Sequence, residues 1–553
     1  MSKKLPMLFL AASMLTVTAC SSQVSEPSAP GTPSKRGASS EPAASSDPFG
    51  KYAEPVTLNI AYSVDPNFKS SKGETPENNV WNKAIKDNLN IDIKIGWQVA
   101  KDNFDQKMNL AIASNDLPDA MVVNQVQLNQ MVRAGEVADL TEVYDKYASP
   151  TVKKIIESTD GLAKSQVTFK GKMMAIPSVT AEDFSWLWIR KDWLDKLGLQ
   201  PPKTVEDLEK IAKAFVEQDP DGNGKADTIG LAAGNGLFND FTQGPPNFDF
   251  EAIFAAYHAY PGFWVKGSDG KPMYGSLMPE AREALLKLRD MYAKGLIDKE
   301  IGIRKAPEET VINGKAGMFF CGFYGGYWPL PAAWKNDPKA NWQSYALPLD
   351  AAGKYNVMTT NPSNSFLVVR KGYAHPEAPV MINNMYLRDE SKYGNEFMLI
   401  RNFFAPLDEV PFEMKAAQQV LAGTKKPEDF AESAEYKLLN NTLKTITNTK
   451  LQPYDKMDIQ YWKQDDNDFM RSYSLFIGGK NNLDPNLNKI KSLSYTRTKT
   501  MENKWSNLTK MEKETYLKII MGAAPIEAFD QFVQDWKSQG GDQVTAEIAE
   551  AIQ

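Results

Sequence analysis

The order of its short strand and helix signals restricts this chain more than any other feature. Val56 to Ala61 reads as a strand, and Ile91, Ile93, Ile95 and Trp97 alternate with polar residues as a second. A helical stretch near Val80 to Asn88 lies between them. Phe104 to Ser114 reads as a further helix and Asp119 to Asn124 as a third strand. Strand-helix-strand-helix-strand order predicts a largely parallel sheet covered by helices, because parallel neighbours need a long crossover.

Further along, Thr204 to Asp207 has the pattern of a capping box, after which Leu208, Ile211, Ala212 and Phe215 share one helical face. Ala281, Leu285, Leu288 and Tyr292 mark another helix, stopped by Gly295. Phe529, Phe532, Val533 and Trp536 mark a helix expected to stop near Gly540-Gly541. Apolar strands recur at 317–321 and 365–369. At 553 residues the chain exceeds what one core accommodates. The expected fold class is therefore α/β in two lobes, with an interdomain cleft beyond the carboxyl ends of the strands and closure about a hinge. The N-lobe is placed at about 55–180 plus a segment after about 355. The C-lobe is placed at about 190–350 plus the C-terminal helices.

The first residues read as an address and a tether. Lys3 and Lys4 precede an apolar run from Leu5 to Val17, too short to span a bilayer, which ends in Val17-Thr18-Ala19-Cys20. Small residues before such a cysteine resemble a bacterial lipobox. This implies a signal peptide at 1–19 and a diacylglyceryl thioether at Cys20, with further acylation (palmitate or a similar chain). Ser, Pro, Ala and Gly dominate residues 21–50, so 20–54 reads as an acylated cysteine and flexible linker before the 55–553 body. The expected location is extracytoplasmic, on the bacterial cell membrane.

Composition excludes several function classes. A net charge of -6 without a basic block argues against nucleic acid as a partner. With two cysteines, one of them Cys20, there is no intrachain disulfide framework and no cysteine-based zinc site. Two histidines leave few partners for a Ser-His or Cys-His pair.

Several segments, in order, resemble the extracellular solute-binding proteins of family 1, the large sugar-binding lipoproteins of ABC importers. They are Ala113-Ser-Asn-Asp-Leu-Pro-Asp119, Leu187-Trp-Ile-Arg-Lys-Asp-Trp-Leu-Asp-Lys-Leu-Gly198, Asn313-Gly-Lys-Ala-Gly-Met-Phe-Phe320, and the stretch from Gly522 to Gly541. The resemblance implies a periplasmic-binding-protein fold of type II character. It also implies a monomer, a membrane permease and an ATPase as partners, and no catalysis. The expected function is to capture a carbohydrate, an oligosaccharide in the first instance, and deliver it to the permease. A secreted polysaccharide hydrolase or lyase stays open as an alternative, as does a binder of peptide or another solute.

Asp219, Asp221, Asn223 and Asp227 stand at loop positions one, three, five and nine. Gly224 is at position six and the Lys225 carbonyl at seven. Oxygen ligands at this spacing suit Ca²⁺. The loop departs from an EF-hand, with Gly230 at position twelve. It resembles the structural calcium site of the alginate-oligosaccharide-binding members, which carry an acid where this chain has Thr228. A metal-free polar turn is the alternative reading.

Sugar binding needs flat aromatic surface and planar polar groups for hydroxyls. Tyr324, Tyr327 and Trp328 follow a strand directly and are the first candidates. Trp186, Trp188 and Arg190 alternate along another strand, with core packing an equal reading for Trp188. Asn361 and Ser363 precede the strand at 365–369, while Tyr62 and Asp65 end the first strand.

Overall fold

In a computed structural model of the chain, the described residues are 47–64, 73–100, 103–243, 247–394, 397–431, 433, 435–436, 439, 442–444, 447, 457–465 and 469–552. Cys20 and Asp65 lie outside them.

β1 (Val56–Val64), α1 (Val80–Leu89), β2 (Ile91–Ala100), α2 (Phe104–Ser114) and β3 (Ala120–Val123) follow the order read from the sequence. α1 begins where the Asn79 side chain accepts the Asn82 N–H, and ends at Asn90 in the left-handed conformation, φ 59°. Its spacing buries Trp81, Ala84, Ile85 and Leu89, each fully buried aliphatic side chain contributing about 1.5–3 kcal/mol. α3 (Gln125–Ala134) opens on a capping box, with Asn124 and Gln127 exchanging side-chain-to-backbone hydrogen bonds at 3.1 and 3.0 Å. β4 (Ile176–Pro177) follows, and β5 (Trp186–Arg190) begins a second sheet.

Next come α4 (Val205–Glu217), β6 (Ile229–Ala232), α5 (Pro279–Ala293), β7 (Ala316–Cys321) and β8 (Trp342–Tyr345). Thr204 caps α4 by accepting the Asp207 N–H, but Asp207 takes the Lys203 N–H at 3.2 Å, so the box is shifted by one residue on its return arm. β9 (Tyr355–Thr359), β10 (Phe366–Val369) and α6 (Ala378–Tyr393) complete the middle of the chain. β11 (Leu487–Lys491) pairs with β9 in parallel. α7 (Lys499–Ile520) and α8 (Ala528–Trp536) close it. The helix expected to stop at Gly540-Gly541 kinks there instead, with Gly540 at φ 129°, and resumes at Asp542.

The first sheet runs β2-β1-β3-β10-β4 and the second β8-β5-β7-β6. Parallel pairing holds for β1, β2 and β3 in the first sheet, for β6 and β7 in the second, and for β9 with β11. β10 is antiparallel to both neighbours, and β5 is antiparallel to β7 and β8. The physical reason is connectivity: both sheets recruit a strand arriving from the other sheet, with no crossover to enforce parallel entry.

Each sheet carries its own cores. Leu128, Met131, Ile155 and Phe366 pack on the first. Trp193, Phe215, Leu285, Trp505 and Trp536 pack on the second. Three segments cross between the sheets side by side. Ser178 and Thr180 donate N–H bonds to Ser365 and Pro362, while Val179 and Glu182 donate to Phe403 and Leu407, all at 2.8–2.9 Å. Two α/β bodies joined by adjacent extended segments form a hinged two-lobe fold.

Candidate functional site

β7 ends at Cys321, and a single 3₁₀ turn, Phe323–Gly326, follows directly. This places Tyr324, Tyr327 and Trp328 together at the carboxyl end of the strand, as expected. Tyr327 and Trp328 are 41% and 39% exposed, unusual for large rings in a chain that buries most of its Trp and Tyr. Trp328 rests edge-on against Phe248, centroids 5.7 Å apart. The Tyr324 hydroxyl donates to Asn247 at 2.8 Å, and burial pushes its pKa up. Arg471 stands beside Tyr327, and its charge opposes the rise that burial imposes on that phenol.

The turn is held from below. Asp183 accepts the Phe323 N–H, and the Trp188 indole donates to Gly322 O at 3.1 Å. Gly325 lies flat on Trp188, where a Cβ would stand 2.5 Å from the indole. Burial pushes the Asp183 carboxyl up to about 7, against the lowering effect of its N–H donors and of the nearby Trp186 indole.

Five other sequence candidates, Trp186, Trp188, Arg190, Asn361 and Ser363, are corrected by their burial. All five residues of β5 are buried, so Trp186, Trp188 and Arg190 present nothing to a solute. Trp186 stacks on Tyr355 and Trp188 on Phe319. Arg190 pairs with Asp192 at 2.5 Å and Asp337 at 3.1 Å, and lies over Trp193 and Trp342. β5 is an interior strand, and both its faces pack. Asn361 and Ser363 are also buried, in the crossing segments. The Asn361 Oδ1 accepts from Gln166 Nε2 at 2.7 Å and from the Ser363 N–H at 3.0 Å. Tyr62 is half-buried, paired with Gln98 at the carboxyl end of β1.

Sequence reasoning missed Asp183, Asn247 and Arg471. Asn247 precedes Phe248 in a loop that contacts the turn, and Arg471 lies on the helix Phe469–Tyr473 far along the chain. No local pattern flags either.

In the loop 219–227, Asp219 accepts the Asn223 and Gly224 N–H groups at 3.1 and 3.0 Å. Asp221 is held up by burial and by the neighbouring Asp219 and Asp227 charges. The Asn223 Nδ2 stands between Asp221 and Asp227, at 2.7 and 3.0 Å. The Asn223 Oδ1 accepts the Lys225 N–H at 2.7 Å, so the amide turns its donor side to the two carboxylates. Thr228 is turned away, donating to Phe215 O at 2.6 Å. Among the described residues no three His, Cys, Asp or Glu side chains stand at metal-holding geometry.

Two hinged α/β lobes with an aromatic turn at a strand's carboxyl end describe a solute-binding architecture. The chain belongs to the bacterial extracellular solute-binding protein family, whose model matches residues 72–386. It is 33% identical over 224 residues to the fructooligosaccharide ABC transporter substrate-binding protein FusA of Streptococcus pneumoniae, 38% of this chain and 40% of that one. It is 29% identical over 240 residues to the polygalacturonan/rhamnogalacturonan-binding protein YtcQ of Bacillus subtilis, 43% of this chain and 45% of that one. The matched stretch thus spans less than half the length of these relatives. The fold is that of FusA in complex with kestose (TM-score 0.57, 18% identity, 90% of this chain and 98% of that chain). It is shared with the alginate-binding protein AlgQ2 without calcium ion (TM-score 0.57, 19% identity, 91% and 98%). Among the described residues no helix is long and apolar enough to cross a membrane.

Proposed function

We propose that this chain is the substrate-binding lipoprotein of an ABC importer. It captures an oligosaccharide reversibly between its lobes and presents it to the permease. The observation that carries the reading is the pair of exposed rings, Tyr327 and Trp328, held on one turn at the strand end. Rings there offer apolar faces to pyranose or furanose C–H groups, while Tyr324, Asn247 and Arg471 offer hydroxyl partners. The names of FusA and YtcQ, both carbohydrate binders, favour the same class of ligand.

In this reading the N-lobe is about 55–180 plus the segment after about 355, as the sheet membership of β10 favours. The C-lobe is about 190–350 plus the C-terminal helices. Tyr62, near the carboxyl end of β1, is the ligand contact proposed from the N-lobe, and Asp65 is proposed with it from the sequence alone. Acylation of Cys20 anchors a monomer outside the cell, and residues 21–54 act as the tether. Ca²⁺ held by Asp219, Asp221, Asn223, the Lys225 carbonyl and Asp227 would supply charge neutralisation to a crowded acidic turn, and so hold its shape. No catalysis is assigned to the chain.

Tryptophan fluorescence of the purified chain, titrated with fructo-, galacturono-, manno- and xylo-oligosaccharides, tests the reading. Saturable quenching by at least one, with no new reducing ends or unsaturated products, is expected. Absence of binding across the panel, or turnover of any member, would overturn it.

A further inference from the structure

A second polar groove lies apart from the aromatic turn. It opens between α3, which packs on the first-sheet core through Leu128 and Met131, and the start of α7, which packs on the second through Trp505 and Leu508. Its volume is about 540 Å³. Gln125, Asn129 and Arg133 form one wall, and Arg497, Lys499 and Glu502 the other.

The charges in this groove are unbalanced. Arg133 and Glu502 satisfy one another across it at 2.5 Å. That leaves Arg497 and Lys499 with no acidic partner and no side-chain hydrogen bond among the described residues. Two uncompensated cations in one groove run against the chain's net charge of -6. Concave low-dielectric walls concentrate their field on whatever enters.

A neutral polar group in the same groove is also incomplete. Gln125 Nε2 donates to Asn129 Oδ1 at 3.1 Å and to Gln166 O at 3.4 Å, which fixes which way the amide faces. Its Oε1 is then buried without a donor among the described residues. A buried acceptor in that state calls for a hydroxyl or N–H from elsewhere. An acidic group for the cations and a hydroxyl for the amide describe one ligand class, the sugar acids. Val132 and Phe169 supply apolar floor for its C–H face. Arg497 also lines an adjoining cavity of about 350 Å³ with Asp240, Gln243 and Trp505, so the groove has room beyond one residue of a chain.

We infer that this groove is a subsite for an anionic saccharide unit, its carboxylate or sulfate ester held by Arg497 and Lys499 and a hydroxyl by Gln125. The inference rests on the carbohydrate reading above and narrows it to acidic glycans. Gln166, whose carbonyl meets Gln125, also donates to Asn361 in the crossing segments. Gln166 thus joins one wall of the groove to the crossing segments through its main-chain carbonyl and its side chain.

Calorimetric titration of the full chain at low salt tests it. The probes are trigalacturonate, its fully methyl-esterified form, a sulfated galacto-oligosaccharide, and neutral fructo- and xylo-oligosaccharides. The acid should bind at least about 10-fold more tightly than the ester, the range expected of a charge-assisted contact. Arg497→Gln should collapse that preference, Arg497→Lys should retain part of it, and Lys499→Gln on an exposed side chain should reduce it. The trigalacturonate and sulfated arms separate the two sources of negative charge. Equal affinity for acid and ester, or a preference that survives Arg497→Gln and Lys499→Gln in chains of unchanged melting temperature, would overturn the inference. Neutral oligosaccharide bound while neither anion binds sinks the inference and leaves the carbohydrate reading standing. Failure of every saccharide, anionic and neutral, sinks both.

Discussion

Asp183 and Phe323 are joined by a bifurcated hydrogen bond, the Phe323 N–H reaching the two carboxyl oxygens at 3.2 and 3.1 Å. It ties the segment that crosses between the sheets to the turn that carries Tyr324, Tyr327 and Trp328. Because Asp183 is buried, its carboxyl rises from 3.8 to about 7. The folded protein therefore holds a proton there between about pH 4 and 7 that the unfolded chain has released. Stability falls as pH rises through that window and levels above it. Asp183→Asn removes this contribution. Its stability relative to the parent should climb between pH 4 and 7, by at most about 4 kcal/mol, and then stay flat. Urea unfolding at several pH values measures it; a pH slope identical to the parent's would count against the assignment. Asp249, raised to about 6, and Glu512, raised to about 7, act in the same direction and keep part of the slope in the variant.

Trp188 and Trp328 should separate stability from binding. Trp188 is fully buried against Phe319, so Trp188→Ala is expected to cost about 3–5 kcal/mol in unfolding free energy. Trp328 is 39% exposed, and Trp328→Ala should leave the melting temperature within a few degrees. Loss of a stacked ring should weaken saccharide binding by about 1–2 kcal/mol, roughly 5- to 30-fold. Thermal melts and fluorescence titrations of both variants decide it, and an unaltered affinity for Trp328→Ala would remove that ring from the site.

Gly325→Ala should damage the turn without touching a ring's chemistry. The added Cβ would stand 2.5 Å from the Trp188 indole, which is fully buried and also stacks on Phe319. The expected cost is about 1–3 kcal/mol, with the turn displaced and affinity lowered together. Stability equal to the parent's would show that Trp188 yields more readily than its packing implies.

The calcium proposal predicts a reversal of sign at Asp221. Without metal, Asp221 is crowded by the charges of Asp219 and Asp227, so Asp221→Asn should raise the melting temperature in EDTA or leave it unchanged. With calcium present the same change removes a ligand and should lower it. The parent should gain about 2.7 kcal/mol when free calcium is a hundredfold above its dissociation constant. Calorimetric scans in EDTA and in millimolar calcium read both effects, and a parent melting curve indifferent to calcium would end the proposal.

Much of the architecture was legible in residue order. The elements from β1 to β3 fall within about three residues of their expected bounds, because period-two alternation and 3.6-residue spacing are local signals. Thr204 as a cap and the turn after β7 were legible for the same reason. The pairing direction of β5 and β10 was not, since it depends on which lobe the chain arrives from.

The candidate site divides the same way. By itself the sequence determined that Tyr324, Tyr327 and Trp328 follow a strand together, that Trp186, Trp188 and Arg190 alternate, and that a spaced set of acids forms a loop. Only the tertiary structure decided which rings meet solvent and which meet Tyr355, Phe319 or Trp342. Alternation says which side chains share a face but not what covers it. The Gln125, Gln166 and Asn361 amides meet across separations of 41 and 195 residues. Burial and long-range pairing are properties of the packed chain, and no window of residues contains them.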